Sequence, residues 1–306
     1  MASPRRGDHG VGHAIQGRQG RYRRPLVECQ IRHGISAIVA CGTTGESATL
    51  SRAERRMVIE RCVEVAEKNV PVIAGTGTNC TETTVELTTE AKTLGSDAAL
   101  IVAPYYNKPS QEGIYRHYEA VVRAVDLPVI VYNVPSRSGV DIAPRTLERL
   151  AQLPGVVGIK DATGDVGRFL ASSPSIKAQL CHFSGNDQTA LPFNLCGGHG
   201  TISVAANVVP RLMVSLHHAI TTGNAQAAVA IHQRLQPLFI ALERETNPGP
   251  IKYALHLARG LNPDVRLPLT TVSPETAAEI RSALEPLAEV RSASHASPSL
   301  PLALAS

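Results

Sequence analysis

Seven short runs of β-branched and small apolar residues recur along the chain, and they constrain its fold more than any other feature. They lie at residues 36–41 (SAIVAC), 71–75 (PVIAG), 98–103 (AALIVA), 128–134 (PVIVYNV), 156–162 (VVGIKDA), 181–185 (CHFSG) and 200–204 (GTISV). Their starts are 35, 27, 30, 28, 25 and 19 residues apart, which is the length of a strand–crossover–strand unit. The runs are apolar on both faces, as strands of a parallel sheet covered by helices must be.

Helical patterns fill the intervals. The clearest spans 51–69, where Ser51 and Glu54 have the spacing of a capping box and Met57, Val58, Cys62, Val65 and Ala66 form one stripe. Segments 81–94 and 112–124 repeat the theme, and after the last run the pattern is wholly helical at 210–220, 225–242, 249–259 and 274–288. A continuous series of seven such periods fits either a doubly wound sheet or a (β/α)8 barrel. A barrel needs eight strands to close, yet residues 1–24 contain no apolar run of strand length. Residues 25–34 (PLVECQIRHG) read as the last turns of a helix feeding the first run.

The chain has 306 residues and a formal charge of +4. Six arginines within residues 1–24, against Asp8 alone, account for all of that surplus and leave the rest slightly acidic. A basic tail without interleaved aromatics binds polyanions weakly and without specificity, so nucleic acid is not expected as a partner. No apolar run approaches the roughly 20 residues of a membrane span. The six cysteines form no C-x-x-C pair and sit in apolar surroundings, which predicts buried thiols in a reducing cytoplasm. Arg5-Arg6 is not followed by the apolar stretch an export signal requires.

In a parallel barrel the chemistry gathers at the carboxyl ends of the strands. Lys160, one of six lysines, stands inside an apolar run. Burial there favours the neutral amine, a nucleophile that attacks carbonyl carbons to form a Schiff base. The alternative is a structural lysine neutralised by Asp161, but neighbours on a strand point to opposite faces. Tyr132 ends the preceding run, and its phenol, relayed through Thr43 or Thr44 and Tyr106, supplies the proton traffic that Schiff-base chemistry needs. Arg137 follows in a turn, with a planar fork suited to a carboxylate. The Gly-rich turns lack the spacing of phosphate or dinucleotide loops, and the eleven histidines show no ligand pattern, so no metal site is expected.

GTTGES (42–47), PYYNKPSQEG (104–113), YNVPSRSG (132–139) and GIKDATGD (158–165) together resemble the dihydrodipicolinate synthase family of pyruvate-dependent aldolases. SGND (184–187), GGHGTISV (197–204) and NPGPIKYAL (247–255) match as well, so the likeness runs from about residue 26 to 287. The resemblance implies an α/β chain folded as a (β/α)8 TIM barrel with a C-terminal helical extension. It implies Lys160 as the Schiff-base residue, and Tyr132, Thr43 and Tyr106 as a proton relay in which Tyr106 reaches in from a partner subunit. Thr44, Gly185 and Ile202 would line the pyruvate pocket, and Arg137 would grip the carboxylate of L-aspartate 4-semialdehyde. The implied product is 4-hydroxy-tetrahydrodipicolinate, in the route to lysine and diaminopimelate. No cofactor beyond the covalent Schiff base is implied, and the assembly would be a homodimer or homotetramer.

Two departures from the family pattern shape the expectations. Of the lysine effector site, Ser47, Asn79 and Tyr105 are present, but Arg52 and Arg55 replace histidines and Thr83 replaces a glutamate, which predicts weak or absent feedback inhibition. The second departure is residues 1–24, where the family's first strand is missing or replaced by an Arg/Gly-rich stretch, as a wrong start site or frameshift would produce. The expected layout is therefore a basic disordered segment (1–24), the barrel (25–220), a helical region (221–289) and a disordered tail (290–306). The competing functions are a sister aldolase acting on 2-keto-3-deoxy sugar acids or N-acetylneuraminate, and an inactive truncated barrel.

Overall fold

The computed structural model describes residues 12–15 and 20–287, with side chains from 25 to 287. All seven apolar runs form strands, β2 to β8 in chain order: Ala37–Ala40, Val72–Gly75, Ala98–Val102, Val129–Asn133, Val156–Asp161, Cys181–Ser184 and Gly200–Ser203. Gly12–Ile15 forms β1. It pairs in parallel with β2 through all four residues and with β8 through Gly12 and His13, and the eight strands close a barrel in sequence order.

Of the two expectations for the first strand, missing or replaced, closure supports replacement, by a strand within the Arg/Gly-rich stretch. GHAI has little strand propensity of its own, but the open edges of β2 and β8 offer backbone donors and acceptors that any short extended segment can satisfy. The helix feeding β2 is also longer than expected, running over Gly20–Arg32 with Pro25 inside it, so residues 20–24 are not a disordered lead. The expected tail at 290–306 lies outside the described residues.

The capping box forms at the helix Arg52–Ala66. Ser51 Oγ accepts from the Glu54 N–H, and Glu54 Oε2 accepts from the Ser51 N–H. Val58, Ile59, Cys62, Val65 and Ala66 face the core, whereas Met57 is 53% exposed. Residues 57 and 58 are a hundred degrees apart on a helix, so both cannot belong to one narrow stripe. Three of the six thiols, Cys29, Cys41 and Cys62, are buried as expected, while Cys80 and Cys196 are exposed at loop positions.

Three apolar clusters hold the molecule. One joins β2 and β3 to the helices Pro210–Thr221, Ala225–Leu242, Gly249–Arg259 and Pro274–Leu284. A second lies between β4–β6 and the helices Gln111–Ala124 and Pro144–Ala151, with Tyr118 wholly buried and its hydroxyl donating to the Ile101 carbonyl at 2.8 Å. The third fills the barrel itself and contains Val39, Ile73, Leu100, Ile130, Tyr132 and Ile202. Among the described residues, no helix is long and apolar enough to cross a membrane.

Candidate active site

The β5–β6 pairing slips by one residue after Val129, which pairs with Val156, while Ile130 pairs with Gly158. Val157 is the extra residue of this bulge and is 37% exposed. The slip sets the phase of the rest of β6 and places Tyr132 directly beside Lys160. Lys160 is buried, and its Nζ lies 4.3 Å from the centre of the Tyr132 ring, a cation–π distance when the amine is charged.

Asp161 points elsewhere. Its carboxylate meets Arg168 Nε at 3.2 Å and accepts from the Thr163 hydroxyl and N–H at 2.6 and 2.8 Å. Arg168 also pairs with Asp141 at 2.6 Å, and Asp141 in turn holds Asn133. The charge of Asp161 is thus committed outside the barrel, and strand alternation separates it from Lys160.

Gly185 is where it is because of that lysine. A Cβ on it would lie 2.9 Å from Lys160 Cε and 2.7 Å from Ala162 Cβ, closer than carbon atoms approach. Ile202, on β8, packs in the same interior cluster as Tyr132. Asp187, the last residue of the SGND match and given no role there, is buried in the loop after β7. Its Oδ2 accepts from the N–H groups of Val204 and Ala205 at 2.9 and 2.8 Å. Burial pushes its carboxyl up, opposed by the Ser203 hydroxyl, those two amides and the charge of Lys160. Asp187, unlike Asp161, is therefore within reach of the Lys160 charge.

The loop after β2 begins with the turn Thr43–Gly45, with Thr44 buried and Thr43 half-buried. Glu46 ends the turn in the left-handed region at φ 55°. Its buried carboxylate pairs with Lys252 and accepts from the Arg266 N–H at 2.7 Å. Lys252 also donates to the Asp264 carbonyl at 2.6 Å. Thr44 Oγ1 accepts from Asn247 Nδ2 at 2.9 Å, and Arg137 Nη2 donates to the Asn247 carbonyl at 3.0 Å. The C-terminal helical region thus reaches back over the barrel mouth and ties Thr44 to Arg137.

Tyr106 is not brought to this cluster within one protomer: it is 88% exposed, in a loop where it adopts φ 71°. Of the effector-site candidates, Tyr105 is exposed beside it. Asn79 accepts through its carbonyl from Asn107 Nδ2 at 2.9 Å, and Ser47 opens the turn Ser47–Thr49. Arg55 turns inward and donates to the Gly75 carbonyl at 2.8 Å, while Arg52 pairs outward with Glu86 and Glu90. Among the described residues, no three His, Cys, Asp or Glu side chains are placed to hold a metal ion.

A closed eight-stranded parallel barrel, with a buried lysine on its sixth strand beside a tyrosine on its fifth, defines a class of (β/α)8 barrel proteins that carry a lysine in the barrel interior. Comparison with known proteins is specific within that class. The chain belongs to the dihydrodipicolinate synthetase family, whose profile matches residues 19–287. It is 50% identical over 261 residues to the 4-hydroxy-tetrahydrodipicolinate synthase of Methylococcus capsulatus, covering 85% of this chain and 90% of that protein. The structure of the chloride-inhibited dihydrodipicolinate synthase of Acinetobacter baumannii complexed with pyruvate superposes with a TM-score of 0.89 at 43% identity, over 92% of this chain and 99% of the other. A monomeric dihydrodipicolinate synthase variant superposes with a TM-score of 0.88 at 40% identity, over 91% and 96% of the two chains.

Proposed function

We propose that this protein condenses pyruvate with L-aspartate 4-semialdehyde to 4-hydroxy-tetrahydrodipicolinate, through a Schiff base on Lys160. The observation that carries this reading is the setting of Lys160: buried in the barrel, beside a tyrosine hydroxyl-bearing ring, and free of the neighbouring carboxylate.

Lys160 Nζ attacks the pyruvate ketone carbon, and the carbinolamine loses water to give the imine. Loss of a methyl proton gives the enamine, whose carbon attacks the aldehyde of the second substrate. Attack of that substrate's amino group on the imine carbon then closes the ring and releases Lys160, so that one water is lost overall. Each step moves a proton, and we assign its transfer to Tyr132, with Thr43 next in the relay. Thr44, Gly185 and Ile202 form the pyruvate side of the site, and Arg137 binds the carboxylate of the semialdehyde. The only cofactor in this scheme is the substrate-derived Schiff base. The exposure of Tyr106 supports delivery of its hydroxyl across a subunit contact, which makes the working form at least a dimer, acting in the cytoplasm.

Borohydride reduction in the presence of pyruvate, followed by peptide mass spectrometry, is expected to find the adduct on Lys160, and its absence overturns the reading. A coupled assay with aspartate semialdehyde then separates this activity from aldol chemistry on keto-deoxy sugar acids. Sedimentation of the protein with and without pyruvate tests the assembly.

A further inference from the structure

Asn247 sits just before the helix Gly249–Arg259 and makes contact with two of the residues proposed to bind substrate. Its side-chain Nδ2 donates to Thr44 Oγ1 at 2.9 Å, and its backbone carbonyl accepts from Arg137 Nη2 at 3.0 Å. Its Oδ1 is buried without a hydrogen-bond partner. A hydroxyl has a single proton. When Thr44 Oγ1 accepts the amide N–H, its own O–H is left to donate to another acceptor, and Thr44 is itself almost wholly buried at the barrel mouth. The carboxylate of a 2-keto acid is acceptor only. An unrestrained threonine hydroxyl could turn to donate to a nearby carbonyl instead, whereas this one is held with its proton available for the substrate. The same residue, through its carbonyl, occupies one nitrogen of Arg137 and leaves the rest of the fork for the second carboxylate.

We propose that Asn247 is a positioning residue that fixes Thr44 as a hydrogen-bond donor to the keto-acid carboxylate and sets the reach of Arg137, joining the two substrate subsites through one side chain and its own backbone. The inference rests on the assignment of Thr44 and Arg137 made above.

The test is Asn247→Asp, which has the same shape but only accepts hydrogen bonds at neutral pH, so that Thr44 must donate toward it. The expected result is a rise in KM for pyruvate of roughly 10- to 100-fold, the effect of losing a hydrogen bond to a charged group, with kcat much less affected. Asn247→Ala removes the donor without adding an acceptor, and a smaller rise in the same KM is expected. If Asn247 acts through Thr44, the double variant Thr44→Val/Asn247→Asp is no worse for pyruvate than Thr44→Val alone. An unchanged KM in both single variants, or independent losses that multiply in the double variant, overturns the proposal. Should Asn247→Asp not fold, Asn247→Ala carries the same cycle with Thr44→Val. Borohydride trapping at saturating pyruvate keeps the two readings apart. A Lys160 adduct in every variant with unchanged KM sinks only the role of Asn247, whereas no adduct in the unsubstituted protein sinks the activity itself.

Discussion

The buried pair between Glu46 and Lys252 offers the sharpest test of how the barrel mouth is held. The two side chains are 6% and 4% exposed, and Glu46 lies two residues after Thr44 in the loop that follows β2. Each charge loses several kcal/mol of hydration, which the partner must return. In Lys252→Met, Glu46 keeps the Arg266 N–H and the charge of a guanidinium already paired with Glu54, so a carboxylate is left buried without its own ion-pair partner. Breaking a buried pair in this way costs about 3–5 kcal/mol. At roughly 2 °C per kcal/mol for a chain of this size, the thermal midpoint is expected to fall by about 6–10 °C. Adding Glu46→Gln removes the stranded charge while keeping an acceptor for the Arg266 amide, and most of the loss is expected to return. Melting curves by circular dichroism at one protein concentration measure both. A single variant within about 1 °C of the unsubstituted protein, or a double variant no better than the single, would refute the reasoning.

Other expectations can be checked separately. Gly185→Ala places a methyl 2.9 Å from Lys160 Cε. A displacement of the nucleophile on this scale costs about 100-fold in kcat/KM, with weaker borohydride trapping and a folded barrel by circular dichroism. Tyr132→Phe keeps the ring beside Lys160 but removes the transferable proton, so kcat is expected to drop by about 10²–10⁴ while the pyruvate adduct still forms. Burial lowers His182 from 6.5 to about 4. The unfolded chain therefore takes up this proton first, and the stability it contributes is complete above pH 6.5 and lost as pH falls toward 4. His182→Phe is expected to flatten the fall of the melting temperature in that window only in part, because burial lowers His117 to about 4 as well. With Arg55 turned inward onto the Gly75 carbonyl, a lysine titration of initial rates is expected to show weak inhibition or none; tight inhibition would contradict the effector-site reading.

The strands β2 to β8 were legible because each is apolar on both faces and short, with helical periodicity on either side. β1 was not, since GHAI acquires its role from the edges it joins and not from its own residues. Strand alternation correctly separated Lys160 from Asp161, yet the bulge at Val157, which sets the phase of both, leaves no mark in a run that reads VVGIK. Motif resemblance pointed to Tyr132, Gly185 and Ile202; the fold brings the first two against Lys160 and sets Ile202 in the same interior cluster as Tyr132. The tethers of the mouth were hidden for a different reason. Asn247 and Thr44 are 203 residues apart, and Lys252 and Glu46 are 206 apart. Asn247 and Lys252 both lie in the NPGPIKYAL match, but their partners cannot be read from it until the fold closes.

Those tethers give the helices after β8 a purpose beyond covering the barrel. Lys160 and Tyr132 stand on strands and are held by the sheet, but Thr43 and Thr44 stand on a loop whose turn would otherwise be held by little more than its own backbone bonds. The segment 247–266 supplies Asn247 to Thr44, and both Lys252 and the Arg266 amide to Glu46. Arg266 adds a pair with Glu54 in the first turn of the next helix, which holds that carboxyl down at about 2, well below its usual range. The loop is thus clamped at its start by an amide and at its end by a buried ion pair, and the following helix is clamped by a second pair. On its other side the same turn packs beside β1. The proposed proton relay therefore depends on two parts of the chain to which no reacting group is assigned: a strand that closes the sheet and a helical region that closes the mouth. Weakening either is expected to disturb the threonines before it disturbs the lysine, so that pyruvate affinity fails before Schiff-base formation does.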